Sequence, residues 1–173
     1  GSINVNWTEL KKNYYPEVSI TASSDAYENG SDALFTVERS LRVPGFMETT
    51  GIVSVTVDPN VGVAKEGIDI NALSQPIVIP AGSINTVFTV GAIYDSIDED
   101  NESISISVLN SDKYDVGTPS SANRVVRDND TAAIEMVLNS DPISSESGAY
   151  ATFQIRLKTQ PTSDVSIQYT SSD

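Results

Sequence analysis

A chain of 173 residues with 24 acidic and 10 basic side chains carries a formal charge of −14. That balance repels nucleic acid and anionic membranes, both of which need Lys/Arg patches, and it favours cations. Cysteine and histidine are both absent, which excludes a disulfide framework, thiolate and imidazole metal sites, and the Ser-His and Cys-His pairs of nucleophilic catalysis.

Hydrophobic residues make up 39% of the chain, enough for a core, so it does not read as a disordered acidic tail. No segment approaches the ~20 apolar residues of a membrane span. No signal peptide is visible, and the leading Gly-Ser reads as a cloning scar, so the chain is expected to be a piece excised from a larger protein.

The first element is a short helix candidate, NWTELKKNYY at 6–15, which ends at Pro16. Residues 1–15 are read as an N-terminal tag and linker, with Trp7, Tyr14 and Tyr15 packing against the β-domain that begins at residue 16. From there the period is two. EVSITAS alternates Val18, Ile20 and Ala22; DALFTVER alternates Ala33, Phe35 and Val37; GIVSVTVDP alternates Val53, Val55 and Val57. QPIVIPAG is a short run between prolines, and NTVFTVGAIYD is apolar along one face from Val87 to Ile93. ESISISVLNS alternates Ile104, Ile106 and Val108, and SANRVVRDND closes the series. Phe35, Phe88, Ile104, Ile106 and Val108 are expected in the core. About seven short strands of this kind, joined by Asn, Gly, Asp, Pro and Ser turns, predict an all-β, seven-stranded immunoglobulin-like β-sandwich over residues 16–130.

An internal echo comes next. YENGSDALFTVER places Glu28, Gly30 and Phe35 at the spacing of Glu146, Gly148 and Phe153 in SESGAYATFQIRL. Each segment precedes a valine-led strand candidate, beginning at Val53 and at Val165. Residues 131–173 therefore read as an incomplete second β-repeat of roughly three strands, whose open edge and apolar face need a partner.

Acids gather at strand ends. YDSIDEDNES (94–103) holds Asp95, Asp98, Glu99, Asp100 and Glu102; Glu28, Glu66, Asp69, Asp128 and Asp130 lie at other turns. Alternate turns of a sandwich share one pole, so these loops are expected to converge there. Several carboxylates on loops suit Ca²⁺, which takes six to eight oxygens, better than Mg²⁺, which keeps its waters. An EF-hand loop begun at Asp98 is excluded, because Ser103 falls where glycine must turn and Leu109 where the closing glutamate belongs.

Four motifs in order, ENG (28–30), GID (67–69), YDSIDEDNES (94–103) and DND (128–130), resemble those of the Calx-beta domain over Glu17 to Asp130. Calx-beta domains are seven-stranded sandwiches found as tandem repeats in sodium–calcium exchangers, in some animal cell-surface proteins and in large bacterial surface proteins. Several bind Ca²⁺ at the end next to the following domain. The resemblance implies Glu28, Asp69, Asp95, Glu99, Glu102, Asp128 and Asp130 as Ca²⁺ ligands; Asp98 and Asp100 in the acidic loop are read apart from it, as facing solvent or standing behind the ligands. Tyr94 stands where the strongest binders of the family have an aspartate, and Asn129 interrupts the closing triplet. Both departures imply fewer ions or weaker binding, in the ~10⁻⁴–10⁻³ M range of extracellular modules.

The function expected is a non-enzymatic, calcium-binding structural repeat of a large extracellular, adhesin-like surface protein. Its expected partners are neighbouring repeats and, through the incomplete repeat, another copy; nucleic acid and membrane insertion are not expected. A passive spacer and an accessory sugar- or protein-binding module of a secreted enzyme stand as alternatives.

Overall fold

The computed structural model describes residues 15–40, 52–59, 62–139, 146–148 and 150–170. The helix candidate at 6–15 lies outside these residues except for Tyr15, which is half-buried. The chain divides into two units: Gly1–Tyr94 with Asn101–Arg127, and Asp95–Asp100 with Asp128–Asp173.

The first unit holds strands β1 (Glu17–Ser24), β2 (Ala26–Tyr27), β3 (Ala33–Ser40), β4 (Val53–Val55), β5 (Val57–Asp58), β6 (Ile77–Ile79), β7 (Asn85–Val90), β8 (Glu102–Val108), β9 (Asp115–Val116) and β10 (Ser121–Arg127). One four-stranded sheet runs β7–β3–β1–β9, a second runs β2–β10–β8–β5, and β4 pairs with β6. These ten described segments exceed the seven expected runs because the run from Val53 to Val57 is divided and two short segments, β2 and β9, lie outside the expected runs. The register of β1 shifts between Ala22 and Ser24, and past Asp25 the chain joins the other sheet as β2, where Ala26 pairs with Val126. The alternating run from Val53 to Val57 likewise changes partner at Thr56, from β6 to β8. Sandwich strands that switch sheets do so at such bends.

Alternation sets the core. Val18 and Ile20 of β1 and Phe35 and Val37 of β3 face Ile104 and Ile106 of β8, all fully buried, with Val55, Val57 and Ile79 beside them. Each such aliphatic side chain contributes about 1.5–3 kcal/mol by leaving water. Phe35 lies opposite Phe88 in the β3–β7 register, and the rings stack with centroids 5.6 Å apart. Phe88 is half-buried and Val90 buried, whereas Val87 is 58% exposed, so β7 turns inward the residue set that alternates with Val87.

Two polar side chains fasten the loops. Tyr114 is fully buried; its hydroxyl donates to the Leu109 carbonyl at 2.9 Å and accepts from the Thr56 N–H at 3.3 Å. Arg39 is buried in β3; its guanidinium donates to the carbonyls of Ser83 (2.8 Å) and Pro80 (3.2 Å), which fixes the β6–β7 turn.

The second unit is built on one antiparallel ladder of β11 (Ile134–Leu138) and β12 (Phe153–Leu157). The strand expected from Val165 is not formed: residues 164–170 carry no regular structure. In the first unit the corresponding run, 53–58, pairs with β6 and β8. Among the described residues of the second unit no equivalent of either is present, so the backbone from Val165 has no ladder to join.

Candidate metal centre

In the first unit β10 lies between β2 and β8. Tyr27 pairs with Arg127 at the end of β10, and the N–H of Glu28 donates to the Arg127 carbonyl at 3.2 Å. Glu102 opens β8 opposite Val126. Strand register alone thus brings half-buried Glu28 and Glu102 to the same end of β10, one on each neighbouring strand, and the chain passes from Arg127 directly into Asp128.

Arg127 is the cation at this strand end. Asp25 Oδ2 accepts from its Nε at 3.0 Å and its Nη2 at 2.7 Å, and Asp25 Oδ1 accepts from the Val125 N–H at 3.3 Å. That hydrogen bonding, and then the Asp25 charge, raise the Arg127 pKa.

Asp69 sits in the turn from Lys65 to Ile70. Its Oδ2 accepts from the Lys65 N–H at 2.7 Å, so one oxygen closes the turn while the carbonyl takes the Ile93 N–H at 2.9 Å. Glu66 has a similar task, with Oε1 accepting from the Leu73 N–H at 2.7 Å.

The second unit contains the acidic loop 95–100 and the segment starting at Asp128. Asp95 Oδ1 accepts from the Ile97 N–H at 2.8 Å, an Asx turn that shapes the loop. Asp128 fastens two strands of chain: Oδ1 accepts from the Asp130 N–H at 3.2 Å, and Oδ2 from the Glu99 N–H at 3.3 Å. It is therefore the backbone of Glu99 that the structure sets on Asp128, and the Glu99 side chain is exposed. Asp128 and Asp130 each present a carboxylate oxygen within 4.8 Å of the other. Oδ2 of Asp130 is out of solvent and has no hydrogen-bond partner among the described residues. Burial, then the charges of Asp128, Asp95 and Asp98, raise the Asp130 pKa above the ordinary aspartate value.

In this unit the charges of Asp128, Asp95 and Asp98 act on Asp130, although the Asp98 side chain is exposed. Asp100 is exposed and is not among those charges. Asp25, which holds Arg127, gave no signal in the sequence, since its partner lies 102 residues away. The side chains here offer oxygen donors only, one of them an Asp130 oxygen removed from water, and oxygen is the donor that hard cations such as Ca²⁺ take.

A two-sheet, all-β module with acidic strand ends, followed by the first ladder of another, is the class of protein that these elements define. The solved structures carry its fold type. The crystal structure of the apo-form Calx CBD1 domain is similar at a TM-score of 0.54 and 20% identity, over 67% of this chain and 99% of that one. The calcium-binding domain CBD12 of CALX1.1 is similar at a TM-score of 0.51 and 14% identity, over 81% of this chain and 70% of that one. CBD12 from CALX1.2 gives 0.53 and 14%, over 83% and 69%. No family model and no curated protein matches the sequence. The fold is that of the Calx calcium-binding domains, as the four acidic motifs suggested.

Proposed function

We propose that the chain is a calcium-binding, non-enzymatic Calx-beta repeat of a multidomain extracellular, adhesin-like protein, with one sandwich over 16–130 and a second repeat starting at 131. The observation that carries this reading is the buried Asp130 oxygen, crowded by the charges of Asp128, Asp95 and Asp98. A divalent cation is the partner that such a group lacks. Asp95, Asp128 and Asp130 form the centre of the proposed ligand set; Glu28, Asp69, Glu99 and Glu102 complete it on the strength of the sequence motifs.

The chemistry is electrostatic. Without metal, the carboxylates of loop 95–100 and of Asp128 and Asp130 repel. Bound Ca²⁺ neutralises them and ties the loop to the segment that leads into β11, which stiffens the joint between repeats. Binding to the folded form alone stabilises it by about 2.7 kcal/mol at a hundredfold excess over Kd. Calorimetric titration with Ca²⁺ tests the proposal: heat is expected from the parent chain and none from the Asp128→Asn/Asp130→Asn double variant. Equal heats from both would overturn the assignment.

A further inference from the structure

The Asp25–Arg127 ion pair belongs neither to the strand ladders nor to the proposed ligand set. β10 ends at Arg127, one residue before Asp128. In the β10–β2 ladder Val126 lies beside Ala26 and Arg127 beside Tyr27. Val126 and Ala26 are buried, so Arg127 and Tyr27 stand on the outer face of the sheet. Glu102 is paired with Val126 and has the inward parity. The guanidinium thus starts on the face opposite Glu102. Arg127 is the last residue of its strand, however, and an unrestrained side chain of that length can swing over the strand end.

Asp25 opposes that swing. Its Oδ2 accepts from Arg127 Nε at 3.0 Å and Nη2 at 2.7 Å, while its Oδ1 accepts from the Val125 N–H at 3.3 Å. The bend that carries Asp25 is itself fastened. Arg124 Nη2 donates to the Ala22 carbonyl, and the Ser24 hydroxyl donates to the Asp32 carbonyl at 3.2 Å and accepts from the Leu34 N–H at 3.0 Å.

We infer that Asp25 is a positioning residue of the calcium site: it holds the Arg127 guanidinium on the outer face, where the cation neither pairs with the carboxylates at this strand end nor repels the metal. The inference rests on the calcium-binding reading. The physical reason is competition, since a guanidinium and Ca²⁺ seek the same carboxylate oxygens. Two candidate ligands flank Arg127: Glu28, whose N–H donates to the Arg127 carbonyl at 3.2 Å, and Glu102 on the strand to the other side of β10. With side chains 42% and 23% exposed, the ion pair itself adds little to stability. Its effect on a divalent ion is larger. A unit charge freed to within about 8 Å of the metal weakens binding by roughly five- to tenfold.

Calcium titration calorimetry of the whole chain at low salt tests this. Asp25→Asn keeps an oxygen for the Val125 N–H, frees Arg127, and is expected to weaken binding by roughly five- to tenfold. Asp25→Asn/Arg127→Gln has the net charge of the parent and lacks the freed cation, so it is expected to restore the affinity to within about twofold. Asp112→Asn removes one exposed charge beyond the far end of β8 and is expected to change the affinity by less than about twofold. A double variant as weak as Asp25→Asn would mean that the carboxylate only holds β10 in place, and overturns the inference. Equal weakening by Asp112→Asn, or an Asp25→Asn that binds like the parent, overturns it as well. A metal-free measurement separates the ion pair from the calcium reading. In EDTA the Arg127 Nε–H resonance is expected to be protected from solvent exchange in the parent and unprotected in Asp25→Asn. Protection in neither overturns the inference alone, whereas a parent chain that gives no calcium heat overturns the calcium reading and this inference with it.

Discussion

Replacing Tyr114 by phenylalanine keeps the ring and removes one oxygen from the interior of the sandwich. The ring is fully buried, so no packing is lost and no cavity of consequence forms. What is lost is a hydroxyl that donates to the Leu109 carbonyl at 2.9 Å and accepts from the Thr56 N–H at 3.3 Å. The first bond is well formed; the second is long. A net hydrogen bond contributes about 0.5–1.5 kcal/mol, and a buried group left without its partner costs about 1–3 kcal/mol. Taken together, Tyr114→Phe is expected to cost about 2 kcal/mol, because it also frees the bend at Thr56 where the chain changes sheets. Urea unfolding followed by far-ultraviolet circular dichroism measures this as a lower midpoint at constant slope. For a domain of this size the loss corresponds to a fall in Tm of roughly 8 °C. A change below about 0.5 kcal/mol would mean that the hydroxyl holds neither strand end.

Asp130→Asn is expected to stabilise the calcium-free chain while weakening its response to calcium. The folded-state pKa of Asp130 is raised, so the native form binds this proton more tightly than the unfolded form does. The destabilisation is absent below the unfolded pKa, grows as pH rises through the window up to the raised value, and is complete above it. Melting in calcium-free buffer should therefore show the variant above the parent at neutral pH and level with it in acid; a variant below the parent at neutral pH contradicts this. Gly62→Ala is expected to destabilise the first unit by about 1–3 kcal/mol through overpacking. An added Cβ would stand 2.2 Å from the Ser103 carbonyl oxygen and 2.8 Å from the Ser105 nitrogen, on the oxygen that accepts the Val63 and Ala64 N–H groups. An unchanged urea midpoint would show that β8 can shift to make room.

Period-two patterning was legible because the buried positions of β1 and β8 are apolar residues alternating with polar ones within each strand, as are Ala33, Phe35 and Val37 of β3 in parity, although Leu34 stands among them and the buried Arg39 continues the same face. Pairing was not legible. Val53, Val55 and Val57 form one alternating run, yet the chain divides it between β6 and β8, and alternation reports burial rather than the neighbour across the ladder. The run NTVFTVGAIYD misleads in the other direction, since Val87 on its continuous apolar side is exposed. Tyr114 escaped notice because a single aromatic in a polar turn has no periodic context. For the acids, the loops were visible from composition, but not which atom of each residue is used. Glu99 offers its N–H to Asp128, and Asp69 spends one oxygen on Lys65; both depend on turn geometry that residue type does not determine.

If the acidic loops hold calcium, the melting temperature of the intact chain differs among Ca²⁺, Mg²⁺ and EDTA. Saturating Ca²⁺ is expected to raise Tm over EDTA by several degrees, about 2–8 °C per kcal/mol of binding linkage for domains of this size range. Mg²⁺ is expected to do much less, because it surrenders its waters reluctantly. Identical melting in all three conditions would mean that the loops hold no calcium.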